Sequence, residues 1–455
     1  MSTIVERTSD QQVQTPEAVS FWQAFLFWLK LGFISFGGPA GQISIMHQEL
    51  VERRRWISEK RFLHALNYCM VLPGPEAQQL ATYIGWLMHR TWGGIAAGVL
   101  FVLPSLFILI ALSWVYIAYG DVDWVAGLFY GIKPAVTAIV VHAAHRIGSR
   151  ALKNNLMWAI AAAAFVAIFA LNVPFPYIVI VAALAGYLGG RFLPDHFNND
   201  GGHGTSDKSF GSALIDDHTP TPTHAIFRWS RFCMILISGL CLWAIPLLTL
   251  WTFLGWDHTF TQMAWFFTKA ALLTFGGAYA VLPYVYQGAV GQYGWLTPTQ
   301  MIDGLALGET TPGPLIMVVA FVGFVGGYVN AVFGPDMVFI AGAVAASIVT
   351  WFTFLPSFIF IFAGAPFIET TQNDLKFTAP LKAITAAVVG VILNLALFFC
   401  YHILWPKGFD GQFEWISAVI SIAAGVALFR YKINVIKVIS VSALAGLLVS
   451  LMELV

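Results

Sequence analysis

From Phe21 to the C-terminus the chain passes through one long apolar run after another. None shows the alternation of polar and apolar residues that marks a membrane barrel. Lipid offers backbone groups no water, so such runs have to close their hydrogen bonds internally, as helices. Composition agrees: 58% of residues are hydrophobic and 10% are charged, against about 25% charged in a soluble domain. The fold class is therefore an all-α polytopic membrane protein, with the lipid bilayer as its first partner. Basic and acidic residues balance at 23 each, which argues against a nucleic-acid partner. The four cysteines (Cys69, Cys233, Cys241, Cys400) all lie in apolar runs and read as small buried side chains, not as metal ligands or disulfides.

Residues 1–20 are polar and lack the basic start and short apolar core of a cleaved signal; they read as a tail. A second polar stretch, 191–225, is rich in Gly and Pro and has no apolar period, so a solvated, disordered linker is expected there. It separates two related halves, 21–190 and 226–455. LKLGFISFGG from Leu29 lies over TKAALLTFGG from Thr268. The same spacing carries Lys30 onto Lys269, Gln48 onto Gln287, Trp56 onto Trp295 and Pro73-Gly74-Pro75 onto Pro312-Gly313-Pro314. Further along, FVLPS at Phe101 matches TFLPS at Thr353, and AVTAIVV at Ala135 matches AITAAVV at Ala383. The loop ERRRWISEKR, Glu52 to Arg61, is strongly basic, while its counterpart GQYGWLTPTQ, Gly291 to Gln300, has no basic residue. Basic loops stay in the cytoplasm, so the halves are expected to form an inverted repeat, with the N-terminus cytoplasmic.

A membrane crossing needs about 20 apolar residues. Several runs are shorter and stop at Gly37-Gly38-Pro39 or at Pro73-Gly74-Pro75. We expect broken or re-entrant helices there, folding at GGPAG and PGP and again at GGAYA (Gly276 to Ala280) and TTPGP (Thr310 to Pro314). The longer runs suggest about nine full crossings in all.

A helix that starts inside the membrane aims unpaired N–H groups and a partial positive charge at whatever lies before it, which suits an anion. Candidate substrate-binding residues at the breaks are Gly37, Gly38, Pro39, Gly41, Gln42, Gly74, Gln78, Gln79, Gly276, Gly277, Thr310, Thr311 and Gly313. A lysine within an apolar helix is costly and tends to face a pathway, which adds Lys30, Lys269, Lys133 and Lys382. Glu76, Glu309 and His47 are candidates for proton coupling or gating, since a carboxylate repels an anion but can carry a proton. His142 and His145, beside Arg146, read as a cytoplasmic helix end. No nucleotide-binding, hydrolase or redox motif occurs, so neither catalysis nor a metal or cofactor is expected.

The stretch FGGPAGQISIMHQELVERRRWISEKRFLHALNYCMVLPGPEAQQLATYIGWLMHRTWGG, with LLTFGGAYAVLPYV and GETTPGPLIMVVAFVGF in the second half, resembles the signatures of the chromate ion transporter family. The resemblance covers almost the whole chain outside the tail and linker. It implies a full-length two-domain secondary transporter that exports chromate across a bacterial inner membrane and confers chromate resistance. Uptake or exchange of sulfate or another tetrahedral oxyanion is the alternative, and an anion channel is a third reading. A homodimer is carried as a further expectation.

Overall fold

A computed structural model describes residues 17–197, 210–217, 219–370 and 378–452. The first half contains α1 (Phe21–Ile34), α2 (Gly38–His47), α3 (Glu59–Val71), α4 (Glu76–Tyr119), α5 (Asp123–Ala151), α6 (Asn155–Phe169) and α7 (Phe175–Phe192), then the short α8 (Pro194–Phe197). After α9 (Trp229–Leu254) the second half repeats them: α10 (Thr259–Leu272), α11 (Ala278–Tyr286), α12 (Pro298–Thr310), α13 (Val318–Val329), α14 (Val338–Thr370), α15 (Thr378–Leu404), α16 (Trp415–Phe429) and α17 (Val435–Leu451).

The repeat is visible in small details. Ser58 caps α3 and Thr297 caps α12, each accepting a hydrogen bond from the backbone three residues on. Both α2 and α11 end in a π-helical turn, at 48–53 and 287–292. The chain then turns back with Trp56 donating to the Leu50 carbonyl and Trp295 to that of Ala289, both at 2.7 Å. The halves differ where α4 runs on through non-helical backbone at His89 and Arg90, while its counterpart divides into α13 and α14.

Six described helices are long and apolar enough to cross a bilayer: α4, α5, α7, α9, α14 and α15. α6, α16 and α17, expected as full crossings, have 15, 15 and 17 residues. Asn154 and Asn434 cap two of them early, their side chains accepting the first-turn N–H groups.

The halves are interlocked. α5 packs against α16 and α17 of the other half, and α15 packs in return against α6 and α7. α5 also meets α15, and α4 crosses α14. Such reciprocity is what a two-fold relation between homologous halves produces. Small residues permit the closest crossings: a Cβ on Gly131 of α5 would stand 1.9 Å from the Ser442 carbonyl oxygen of α17, and one on Gly390 of α15 would stand 2.0 Å from the Ala161 carbonyl oxygen of α6.

In its described portions the 191–225 stretch lies against the protein. Phe197 is buried with Met157, Ala383 and Ala386. Ile215 pairs with Ile57 in an isolated β-bridge: Leu214 donates to Arg55 at 2.9 Å, and Ser58 donates to Ile215 at 3.0 Å. Arg61 donates to the Thr219 carbonyl at 2.7 Å. The buried apolar side chains of this stretch, Phe197, Ala213, Ile215 and Ala225, supply its anchors. Farther along, the His224 ring donates to the Trp86 carbonyl at 3.0 Å. Burial, with Arg90 and Arg231 nearby, holds its imidazole below the ordinary histidine value despite that bond. Of the cysteines only Cys69 is buried; Cys233 and Cys241 are exposed on α9, and Cys400 is intermediate.

Candidate functional site

The four helix breaks meet at the junction of the halves. Gly74 donates its N–H to the Thr274 carbonyl at 2.7 Å, and Gly313 donates to the Ser35 carbonyl at 2.8 Å. Each Pro-Gly-Pro break is thus tied to the Phe-Gly-Gly break of the other half. Both glycines have φ values that side chains rarely adopt, +127° and +104°, and both are crowded. A Cβ on Gly74 would lie 2.4 Å from Ser357 Oγ, and one on Gly313 would lie 2.8 Å from Ser105 Cβ. These serines end the matched FVLPS and TFLPS motifs, so they too reach across to the opposite half. Gln42 adds a one-sided link, its amide donating to the Gly313 carbonyl.

Beside this junction lies a cavity of about 20 Å³, lined by Gly37 and Gly38 at the start of α2, His142 and Arg146 of α5, Tyr279 of α11 and Glu309 of α12. Tyr279 donates its hydroxyl to the buried Glu309 carboxylate. Arg146 acts electrostatically on both. At the second-half positions matching His142 and Arg146 stand Gly390 and Asn394, so the charge sits on one side of the repeat only. The space suits one water molecule; a tetrahedral oxyanion fits only if the walls part.

A wider cavity, about 530 Å³, opens at the other end of α5. Lys133 reaches Asp303 of α12 there at 3.5 Å, and Tyr116 of α4 donates to the same carboxylate oxygen at 2.8 Å. The second Asp303 oxygen is buried without a hydrogen-bond partner among the described residues.

The other expected residues are placed as follows. Lys30 is exposed on the stripe of α1 that also carries Leu26, Phe33 and Ile34. Lys269 is half-buried with its ammonium 5.7 Å from the Trp265 ring. Neither lines either cavity. Lys382 donates to the Phe197 carbonyl. Pro39 faces Gly277, whose added Cβ would stand 3.9 Å from it, and Gly276 faces Thr385. Gly41 packs against the Phe36 carbonyl. The Gln78 side chain donates to Thr82 at 3.0 Å, and that of Gln79 to the Pro73 carbonyl at 2.8 Å; the side-chain amide oxygens (Oε1) of Gln42, Gln78 and Gln79 are buried without a partner among the described residues. Thr310 and Thr311 donate to carbonyls of their own helix, at Ala306 and Leu307. Glu76 is half-buried at the start of α4. His47 lies between Glu52, at 3.2 Å, and Glu59 beside the basic loop, and lines neither cavity. Sequence reasoning missed His142, Arg146, Tyr279, Tyr116 and Asp303. Arg146 was hidden by its neighbours His145 and Arg150, which together look like a helix end. Asp303 carried a usable signal, as a carboxylate inside a short apolar helix.

Broken helices of two homologous halves, closed around a small polar cavity, define a transporter of the internal-repeat class. The chain belongs to the chromate transporter family, whose model matches residues 22–187 and 261–447 and so covers both halves. It is 33% identical over 444 residues to a chromate transport protein of Pseudomonas aeruginosa, across 95% of this chain and 94% of that one. A chromate transport protein of Cupriavidus metallidurans is 27% identical over 397 residues, 86% of each chain. A probable chromate transport protein of Synechococcus elongatus is 28% identical over 390 residues, 85% of this chain and 86% of its own. No solved structure matches the chain.

Proposed function

We propose that the protein is a secondary transporter that exports chromate across the bacterial inner membrane, with its N-terminus in the cytoplasm, and so confers chromate resistance. The observation that carries this reading is the cavity between the halves, where the start of α2 at Gly37–Gly38 and the Arg146 guanidinium stand together. Free N–H groups and a guanidinium are the donors that a tetrahedral dianion accepts from. Tyr279 and Glu309, hydrogen-bonded to each other, line the same cavity, and the oxyanion takes its place beside them at Arg146. Since the cavity is too small for the ion in this conformation, loading requires the breaks to separate, and rocking of the halves then alternates access.

Export is electrically downhill. Moving two negative charges out of a cell that is negative inside releases about 4.6 kcal/mol per 100 mV. A homodimer belongs to the same proposal and is checked by sedimentation in detergent.

The test is radiolabelled chromate flux in oriented vesicles under an imposed membrane potential. Arg146→Gln is expected to lower the initial rate by about 100-fold while the protein still folds, in line with losing a charged hydrogen-bond donor at a desolvated site. A full rate in that variant removes Arg146 from the site. The donors read charge and tetrahedral shape, so excess sulfate is expected to compete. Sulfate carried in preference to chromate would favour the oxyanion-exchange reading.

A further inference from the structure

The wide cavity at the other end of α5 is not accounted for by the central site. We propose that it is a second oxyanion station, and that an anion binds there together with one proton taken up by Asp303. This rests on the reading of the protein as an oxyanion carrier.

The argument starts from what holds the cavity closed electrostatically. Among the described residues Lys133 is the one cationic side chain in its wall, and it is occupied by Asp303 at 3.5 Å. One oxygen of that carboxylate takes both Lys133 and the Tyr116 hydroxyl, and the other is buried with no partner among the described residues. The other titratable groups around it are few. Lys133 and Tyr130 come from α5, Tyr116 comes from α4, and Asp121 comes from the turn between them. Tyr130 is tied to Glu414 at 3.1 Å. α17 contributes Ser450. Lys133 and Tyr116 are the groups that act on Asp303, and no charged side chain of α13 or α15 does so among the described residues.

A dianion that reaches Lys133 meets an ionised carboxylate at the same ammonium. Poorly hydrated like charges at that range repel strongly. If Asp303 takes up a proton, the repulsion ends and the ammonium is released to the anion. No covalent bond is made or broken; a proton moves from water to a carboxylate oxygen. By linkage, protons then raise anion affinity as much as the anion raises proton affinity.

The experiment is chromate binding to the purified full-length protein in nanodiscs, by calorimetry, in alkaline buffers where the free ion is almost entirely the dianion. Wild-type affinity is expected to rise about tenfold for each unit of falling pH. Buffers of different ionisation enthalpy should report uptake of about one proton per anion. Asp303→Asn is expected to bind at every pH with the slope abolished. Affinity independent of pH in the wild type, or a slope that survives in Asp303→Asn, overturns the proposal. Where the variant fails to fold, the wild-type proton count decides alone, and a count of zero overturns it. Chromate flux without proton-linked binding sinks this inference and leaves the carrier intact, whereas absence of both flux and binding sinks the carrier reading itself.

Discussion

Two glycines carry more of this structure than any charged residue. Gly74 and Gly313 each hold a φ closed to ordinary side chains, and each passes its N–H to the opposite half. In Gly313→Ala the methyl group would meet Ser105 and the backbone would have to leave its left-handed region. We expect a loss of about 1–3 kcal/mol, read as a lower melting temperature in detergent, with transport lost along with it. Their sequence signal was plain, because Pro-Gly-Pro inside an apolar run has few explanations. The lysines show the limit of the same reasoning. A repeat match and an apolar setting give Lys30 and Lys269 equal standing with any pathway residue, but which face of a helix looks inward depends on partners that one helix does not encode. Lys30 falls on the stripe with Leu26 and Phe33, where its chain can run along apolar surface toward the interface.

At the scale of elements, α5 and α12 work as a pair. α5 carries Lys133 and Arg146, and α12 carries Asp303 and Glu309. Each carboxylate also accepts from a tyrosine, Tyr116 or Tyr279. A cation of α5, a carboxylate of α12 and a tyrosine therefore line each cavity, but among the described residues only Lys133 and Asp303 form an ion pair. The position of α5 depends on its crossing with α17, where Gly131 and Gly446 let the backbones touch. A Cβ on Gly131 would stand 1.9 Å from the Ser442 carbonyl oxygen, so the helices would have to separate. Gly131→Ala is expected to cost about 1–3 kcal/mol by overpacking. It should lower the melting temperature more than the same change at Gly425, where an added Cβ meets nothing within 4 Å. Equal shifts would count against this crossing as the support of α5. The breaks and the repeat were legible in the sequence because proline, glycine and periodicity act locally. The pairing of α5 with α12 was not, since it joins residues some 170 positions apart through the fold alone.

For the molecule as a whole, the exchange of helices between the halves sets the order in which the chain can be completed. When the first half has been made, α6 and α7 lack their main partner, because the helix they pack against most extensively is α15. Their small-residue faces remain against lipid until the second half arrives, and α16 and α17 then find α5 already in place. The covalent link between halves should matter less than their simultaneous presence. Cutting the chain within 198–209 and producing both pieces together is expected to restore chromate flux, while either piece alone should yield little folded protein. Stable, separately folded halves would show that the exchange of helices is not needed for folding. On this account the chain behaves in biosynthesis as two subunits that happen to be joined, and the first must wait in the membrane for the second.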